Sequence, residues 1–279
     1  MKPARTLLFP LLAATAVLAS FSLAGAQGPG PLADPKSDKQ AGFPADLYSW
    51  VIPPDNPQTP AKIALGKALF FDDRLSADDK VSCDHCHDPA KGFTDQLPTS
   101  MGIRAQFGQR NAPTILNAVF NVTQFWDGRA PTLEAQVQGP VTNPVEMGMK
   151  STDDAVAKIK AIAEYQKQFQ DVFGHEVTFA DIERAIAAYE RTQLAFDSPF
   201  DKFIAGDPSA ISDSAKRGWS IFNGKGRCMS CHAWNPTQPL FTDQKFHNIG
   251  VSAHNANFVP LARKALETLA SSGGGEQEI

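Results

Sequence analysis

The sequence predicts a mostly α-helical protein of two small domains, and three observations support this fold class. Apolar residues recur at helical spacing in several segments, the residues before two cysteine motifs lack the alternation of a strand, and one short pattern occurs twice. With 279 residues, of which 42% are hydrophobic, the chain can bury one large core or two modest ones. We therefore expect a single helical module that is used twice.

Residues 1–26 have the pattern of a secretory signal. Lys2 and Arg5 form a positive end, a mostly apolar run follows, and Ala24-Gly25-Ala26 supplies small residues at the cleavage positions. A membrane anchor is the alternative, but a proline and several hydroxyl residues interrupt the run and favour cleavage. Residues 27–45 then form an expected flexible lead-in. These features predict an exported, periplasmic protein with no membrane span after cleavage.

The first predicted domain comprises residues 46–205 and has the clearest helical patterns. Pro60 stands near the first turn of one such pattern, and Thr178 with Asp181 forms a capping-box-like start of another. Helical spacing of apolar residues predicts helices over residues 61–71, 111–122, 131–139, 153–162 and 178–196.

The second predicted domain comprises residues 206–279 and repeats a pattern from the first. Gly66-Lys67-Ala68-Leu69-Phe70 and Gly218-Trp219-Ser220-Ile221-Phe222 share the spacing Gly-x-x-aliphatic-Phe. A last helix is expected over residues 257–271. A glycine-rich segment follows it and has the composition of a loop cut short, so we expect this domain to be incomplete at its C-terminal end.

Each copy of this pattern precedes the motif C-x-x-C-H. The two motifs are Cys83-Asp84-His85-Cys86-His87 and Cys228-Met229-Ser230-Cys231-His232. On a helical turn the two sulfurs share one face, where each can form a thioether with a haem vinyl group, and the His can then ligate the iron. The motifs predict two covalently bound c-type haems in two cytochrome c-like domains, with His87 and His232 as the proximal ligands.

Two other uses of paired cysteines fit less well. A structural zinc site normally has its pairs within a few tens of residues, whereas about half the chain separates these two. A thioredoxin-like redox pair would follow a strand. The two motifs use all four cysteines, so none remains for a disulfide framework. Export also agrees with haem, because thioether attachment takes place outside the bacterial cytoplasm.

The charge balance restricts the partners. The formal net charge of −4 becomes −6 after removal of residues 1–26, because this segment carries Lys2 and Arg5 and no acidic residue. A mildly acidic protein is a poor match for nucleic acid. Small basic redox proteins remain suitable partners.

From about Ile63 to Val251 the chain resembles the bacterial di-haem cytochrome c peroxidases and their MauG-type relatives. The resemblance depends on strings that are specific in combination: Leu75-Ser76, Gln109-Arg110-Asn111-Ala112-Pro113-Thr114, Phe125-Trp126-Asp127-Gly128-Arg129-Ala130, Gly139-Pro140-Val141, Val145-Glu146-Met147, Ala187-Ala188-Tyr189-Glu190-Arg191-Thr192 and Phe246-His247-Asn248-Ile249-Gly250. In that family the first haem is the peroxidatic site, and the second stores and relays electrons.

The resemblance implies roles for four residues. Gln136 and Glu146 match the distal pair above the first haem, Trp126 matches the aromatic residue between the haems, and Asn111 matches a ligand of an inter-domain calcium ion. A partly buried carboxylate with a raised pKa can move a proton between the oxygens of a peroxide, and an amide can hold the peroxide by hydrogen bonding. The plainer interpretations are that Glu146 is a surface carboxylate, Gln136 a residue on a helix face and Trp126 a core residue.

The chain departs from the family pattern at two places. Many members carry a His on the loop before the Arg-Asn-Ala-Pro string, where it caps the oxidised first haem, but Ile103 occupies that position here. We therefore expect an open first haem, as in MauG-type members. No Met follows Met229 to serve as the sixth ligand of the second haem. His247 is expected to be a structural or haem-edge residue, with an axial ligand as the alternative.

Three functions follow from this reasoning. The first is a peroxidase that reduces hydrogen peroxide at the His87 haem, with electrons that enter at the His232 haem from a small soluble donor such as a cytochrome c or a cupredoxin. The second is a MauG-type enzyme that oxidises residues of a partner protein. The third is a non-enzymatic di-haem electron carrier, which the match of Gln136 and Glu146 disfavours. A homodimer is compatible with each function.

Overall fold

The computed structural model describes residues 40–250 and the single residue Arg263. In this part of the chain the regular structure is helical, and strand-like pairing is limited to isolated bridges. The expected mostly α-helical fold class is therefore confirmed. The predicted signal at 1–26, most of the lead-in and nearly all of the predicted helix at 257–271 lie outside the described residues.

The helices follow the chain in order. They are α1 (Ala45–Val51), α2 (Pro60–Phe70), α3 (Leu133–Thr142), α4 (Thr152–Lys160), α5 (Ala163–Phe173), α6 (Phe179–Glu190), α7 (Pro199–Ile204) and α8 (Asp213–Asn223). The predictions for α2, α3 and α4 are confirmed to within a few residues. Helix α5 was not predicted, and Ile162 at its start provides no side-chain cap that could have marked it.

The predicted helix over residues 111–122 and the predicted end of the helix over residues 178–196 are wrong, and both errors have one cause. Residues 111–122 form only a 3₁₀ turn over Ala118–Phe120, and α6 ends at Glu190 instead of reaching residue 196. The Asn117 amide N–H donates to the Gln193 carbonyl at 2.9 Å, and the Asn117 side chain makes two hydrogen bonds with the Ala195 backbone, each 2.9 Å. This pairing between distant segments replaces the local hydrogen bonds of both predicted helices.

Helices α2 and α6 cross at the centre of the first region. Gly66 permits the close approach, because a Cβ atom at this position would overlap the backbone carbonyl of Ala185. The surrounding core is made of fully buried aliphatic and aromatic side chains, among them Leu69, Phe70, Phe169, Ile182 and Ile186. The first C-x-x-C-H motif adjoins this core, since Cys83 packs against it.

A buried polar network ties three helices together. From α2, the Lys62 ammonium donates to the Asn56 side chain at 2.8 Å, and Asn56 donates to the Glu134 carboxylate of α3 at 2.6 Å. Arg191, at the end of α6, pairs with the same carboxylate at 2.8 Å. Because each charge has a partner, the network fixes the relative positions of these helices without an isolated buried ion.

The second region has a different character. Between residues 192 and 250 the structure describes no residue that is buried, and α7 and α8 bury none of their side chains. An aromatic cluster replaces the aliphatic core, with ring centroids 4.8 to 6.4 Å apart; its members are Phe200, Trp219, Phe222, Trp234 and Phe241. The predicted boundary between residues 205 and 206 falls between α7 and α8 and stays a prediction.

Within residues 40–250 no helix combines the length and the apolar composition that a membrane crossing requires.

Candidate functional site

The two C-x-x-C-H motifs adopt the same backbone turn. Each begins with a 3₁₀ turn, over Cys83–His85 in the first motif and Cys228–Ser230 in the second. The amide N–H of His87 donates to the Cys83 carbonyl at 3.0 Å, and that of His232 donates to the Cys228 carbonyl at 2.9 Å. The turn therefore continues through the His in both motifs, as the sequence predicted for a helical turn that carries both cysteines.

The imidazoles of both motifs are oriented in the same way. Nδ1 of His87 lies 3.2 Å from the carbonyl oxygen of Phe93, and Nδ1 of His232 lies 3.1 Å from that of Phe241. An Nδ1–H that donates to a carbonyl leaves the lone pair of Nε2 free for a metal. Burial lowers the pKa of His87, which favours the neutral imidazole that iron requires.

The two carbonyls come from residues that sequence reasoning missed. Phe93 has a φ of 59° and Phe241 a φ of 55°, so both lie in the left-handed region that bulky side chains rarely adopt. Such strain costs about 1–2 kcal/mol per residue and persists where the surroundings require it. The sequence carries no signal for it, since phenylalanine is not a residue that favours this conformation.

The thiols are also suited to covalent attachment of haem. All four cysteines have free sulfurs, so each could form a thioether. Burial raises the pKa of the Cys86 thiol to about 11 and that of Cys83 further still, whereas Cys231 is exposed. With paired thiols on one turn and an oriented imidazole beside them, both motifs fit a c-type haem.

Glu146 lies near the first motif. Its side chain is half-buried, and the Asn143 amide donates to its Oε1 atom at 2.7 Å. Burial raises the pKa of this carboxyl, although the Arg129 guanidinium and the Asn143 hydrogen bond act in the opposite direction. Its charge also contributes to the raised pKa of the Cys86 thiol, which places Glu146 within electrostatic range of the motif. Asn143 was not predicted from the sequence.

Trp126 and Asn111 are joined directly. The indole N–H of Trp126 donates to the Asn111 carbonyl at 2.9 Å, and the Asn111 amide donates to the Leu97 carbonyl at 2.9 Å. Trp126 is 57% exposed, so the plainer interpretation of a core tryptophan does not apply. Gln136 lies on α3 and is partly buried.

The predicted calcium site is not tested by this geometry. Among residues 40–250 no group of three or more His, Cys, Asp or Glu side chains could hold a metal ion. Calcium ions also bind backbone carbonyl and side-chain amide oxygens, which His, Cys, Asp and Glu side chains do not supply. The role of Asn111 as a calcium ligand therefore stays a prediction.

The loop that carries Ile103 is locked into the first region. Ile103 is 1% exposed, and its amide N–H donates to the Glu146 carbonyl at 2.8 Å. Its side chain reaches Gly148, where a Cβ atom would overlap it, and Gly148 has a φ of +69°. The Ile103 side chain therefore fills the core beneath the backbone of Glu146.

An arginine pair next to Trp126 was also missed. Asp127 forms ion pairs with Arg110 and Arg129, each 2.8 Å, and the Arg129 guanidinium lies 3.5 Å from the centroid of the Phe125 ring. These contacts hold Arg129 where its charge reaches Glu146. The signal for them was present in the string Phe125-Trp126-Asp127-Gly128-Arg129, but the string does not reveal which side chains meet.

His247 lies against the second motif. Its Nε2 atom is 2.9 Å from the Asp243 carboxylate, and its Nδ1 atom is 3.9 Å from the Cys231 sulfur. The Asp243 amide in turn donates to the Cys231 carbonyl at 3.1 Å. The role of His247 as a structural or haem-edge residue stays a prediction.

Comparison with known proteins agrees with this geometry. Residues 60–209 match the family described as di-haem cytochrome c peroxidase. The chain is 43% identical over 206 residues to the methylamine utilization protein MauG of Methylorubrum extorquens. The matched stretch covers 73% of this chain and 57% of the relative. It is 44% identical over 181 residues to the cytochrome c peroxidase Ccp of Escherichia coli, which covers 65% of this chain and 39% of the relative.

A solved structure shows the same fold. The diheme peroxidase BthA of Burkholderia thailandensis is 29% identical to the chain, with a TM-score of 0.62 over 67% of this chain and 54% of the other. The fold and the two motif turns thus define a helical protein of the c-type haem class. Within that class, the chain belongs to the di-haem cytochrome c peroxidase family, and the resemblance noted in the sequence is confirmed. The chain spans about half the length of the curated relatives it matches.

Proposed function

We propose that the protein is a di-haem c-type peroxidase that is exported to the periplasm and reduces hydrogen peroxide to water. Its electrons come from a small soluble redox protein, such as a cytochrome c or a cupredoxin. The observation that carries this proposal is Glu146, a half-buried carboxyl with a raised pKa that accepts a hydrogen bond from Asn143 and lies within electrostatic range of the first motif. Family membership supports the same conclusion.

In this proposal the chain holds two haems. Cys83 and Cys86 attach the first, Cys228 and Cys231 attach the second, and His87 and His232 are the iron ligands. A haem held by Cys83, Cys86 and His87 would supply the electrons that cleavage of the peroxide O–O bond requires. Reduction of one hydrogen peroxide consumes two electrons and two protons and forms two waters.

Glu146 handles the first proton. As a carboxylate, it accepts a proton from the inner peroxide oxygen and returns it to the outer oxygen, which then leaves as water. Partial burial suits the residue to this task, because a carboxylate whose pKa is raised accepts a proton more readily. The Asn143 hydrogen bond keeps the side chain in one orientation. Gln136 holds the peroxide through its amide.

Trp126 and Asn111 have supporting roles. Trp126 would relay electrons between the two haems, and its hydrogen bond to the Asn111 carbonyl fixes the indole ring. Asn111 would also contribute one oxygen to the inter-domain calcium ion that the family resemblance implies. Both assignments extend the family resemblance to these positions.

The test uses purified protein from a host that attaches haem covalently. We expect a high-spin, five-coordinate haem in the oxidised protein and the consumption of hydrogen peroxide with oxidation of reduced cytochrome c. Protein with only low-spin haem and no peroxide turnover would contradict the proposal and favour the electron carrier. Export would be tested by comparing the protein with a variant that lacks the cleavage site at Ala26. Mass spectrometry would show whether residues 1–26 are removed from each.

A second candidate function is favoured by the Ile103 loop. Ile103 fills the core, so this position presents no imidazole that could cap the first haem, which resembles the MauG-type relatives. Such an enzyme would oxidise aromatic residues of a partner protein. Peroxide-dependent modification of a partner's Tyr or Trp residues, detected by mass spectrometry and faster than oxidation of cytochrome c, would replace the peroxidase proposal with this one.

A further inference from the structure

Helix α6 ends with a buried carboxyl group that the proposed peroxide chemistry does not use. Glu190 is 5% exposed, and its Oε2 atom has no hydrogen-bond partner. An ionised carboxylate is unfavourable in such a place, because no donor replaces its lost hydration. Burial accordingly raises the pKa of Glu190 to about 8.

This carboxyl lies within electrostatic range of the first haem motif. After burial itself, the charge of Glu190 is the largest cause of the raised pKa of the Cys83 thiol, and the next is Asp84. Tyr189, the neighbouring residue on α6, has a pKa raised to about 12 by burial and then by the charges of Glu190 and Asp84. Cys83 and Tyr189 also belong to one packed cluster. Glu190 is therefore close enough to the first motif to respond to a charge that appears there.

The cations around Glu190 do not neutralise it. Arg191 lowers the pKa of Glu190, but its guanidinium pairs with Glu134 from α3 at 2.8 Å, and the charge of Glu134 opposes the effect. Lys62 from α2 donates its ammonium hydrogens to groups of the loop that precedes that helix. From α1, the Tyr48 hydroxyl donates to the Arg191 backbone carbonyl at 3.3 Å. No hydrogen bond from these residues reaches Oε2 of Glu190.

We infer that Glu190 takes up a proton when the iron of a haem at His87 is reduced, and that it thereby couples the reduction of that haem to pH. One electron passes from an external one-electron reductant to ferric iron. One proton passes from solvent to a Glu190 carboxylate oxygen, where it forms one O–H bond, and no other bond changes. Reduction removes one positive charge from the site, so the neutral acid becomes the favoured form. The inference rests on the haem proposed at His87 but does not require peroxide turnover.

The experiment is a redox titration of the high-spin haem in the two-haem protein between pH 6 and pH 10, followed by visible absorption. Above its pKa, Glu190 is anionic and stabilises the ferric state, so reduction becomes less favourable as pH rises through about 8. If reduction of the haem raises the pKa of Glu190 by one unit, the equilibrium constant for reduction changes tenfold. We expect roughly this total change between pH 6 and pH 10. In Glu190→Gln the pH dependence in this range should disappear.

Glu183→Gln is the matched control. Glu183 lies on α6 as well and is half-buried, but the charges that act on it are those of Glu134 and Arg184, and the first motif is not among them. This variant should keep the pH dependence of the wild type. The inference is wrong if Glu190→Gln keeps it too, or if the wild-type titration is flat between pH 6 and pH 10.

A second measurement covers the case in which Glu190→Gln fails to load haem. The infrared difference spectrum of reduced minus oxidised wild-type protein at pH 8 should gain the carbonyl band of a protonated carboxylic acid, and the band should shift in heavy water. Absence of this band would overturn the inference. A protein without peroxide turnover but with this band would contradict the proposed function alone.

Discussion

The two C-x-x-C-H motifs share one local geometry but differ in their surroundings. Both have the same turn and the same contact from the imidazole Nδ1 to a phenylalanine carbonyl. Cys83 packs against the large core of the first region, whereas Cys231 is exposed and the described residues 192–250 contain none that is buried. The difference teaches that the motif determines which groups can bind haem, while tertiary packing determines the protonation of the carboxyls around it.

The repeated helix pattern shows the same difference. Gly66 and Gly218 occupy equivalent positions in the pattern, yet only Gly66 lies against another backbone. At Gly218 a Cβ atom would meet nothing within 4 Å. One helix is therefore the centre of a packed core, whereas its counterpart packs Trp219 against the aromatic cluster.

The largest expected effect concerns Glu146, near the first motif. Glu146→Gln should slow peroxide cleavage by roughly 10²-fold or more, because the amide cannot accept a proton, while both haems stay attached. Rapid-mixing absorption spectroscopy would measure the rate, and reduction of the second haem should be unaffected. Glu164→Gln, at an exposed position on α5, is the matched control and should keep the wild-type rate. An unchanged rate in Glu146→Gln would remove this residue from the mechanism.

The same residue predicts a pH dependence. Because burial raises the pKa of Glu146, the carboxylate that accepts the proton is lost as pH falls through that raised value. The rate of peroxide cleavage should therefore decrease towards acid pH, and this decrease should be absent from the residual rate of Glu146→Gln. A wild-type rate that rises as pH is lowered would assign the proton transfer to another group.

Alanine at the two equivalent glycines would test the packing difference. Gly66→Ala should destabilise the first region by about 3 kcal/mol, because the added methyl group meets backbone atoms of α6 that cannot move independently. Gly218→Ala should stabilise α8 by about 0.5–1 kcal/mol, since alanine is the better helix former and the position is open. Thermal unfolding followed by circular dichroism would measure both. Equal effects would mean that the two helices are packed alike.

The buried carboxyl of α6 predicts that the stability of the first region falls as pH rises. Glu190 has a folded-state pKa of about 8, above its ordinary value of 4.5, so between these values the folded protein keeps a proton that the unfolded chain has lost. Its contribution to the free energy of unfolding is present below the lower value and decreases by about 1.4 kcal/mol per pH unit between the two. Denaturant unfolding of wild type and Glu190→Gln at pH 6 and pH 8 would measure how the free energy of unfolding of each protein changes with pH. If the free energy of unfolding changed equally with pH in the two proteins, the assigned protonation of Glu190 would be contradicted.

The smallest expected effects should be alike in the two regions. Thr132 caps α3 by accepting a hydrogen bond from the Ala135 amide at 3.1 Å, and Ser212 caps α8 by accepting one from the Ala215 amide at 3.1 Å. Alanine at either position should cost about 1 kcal/mol, because capping depends on the first turn of the helix alone. Thermal unfolding would compare them. A cost confined to Thr132→Ala would show that local interactions also differ between the regions.

Much of the fold was predictable because its signals are local. Helices α2, α4 and α6 were found from their apolar spacing and their first turns. The failures come from contacts between distant segments: Asn117 pairs with residues 193 and 195, which replaces two predicted helical stretches. Helix α5 lacked a cap that could have revealed it.

The sequence by itself predicted the haem chemistry and determined the family, because a C-x-x-C-H motif and the strings around Trp126 and Glu146 carry their meaning in adjacent residues. Only the tertiary structure decided which carbonyls orient the two imidazoles, and which carboxyls lie near the first motif. Glu190 stands more than a hundred residues from Cys83 in the chain, and its effect there depends on burial and charge. Both of these are properties of the packed core, so no stretch of neighbouring residues can specify them.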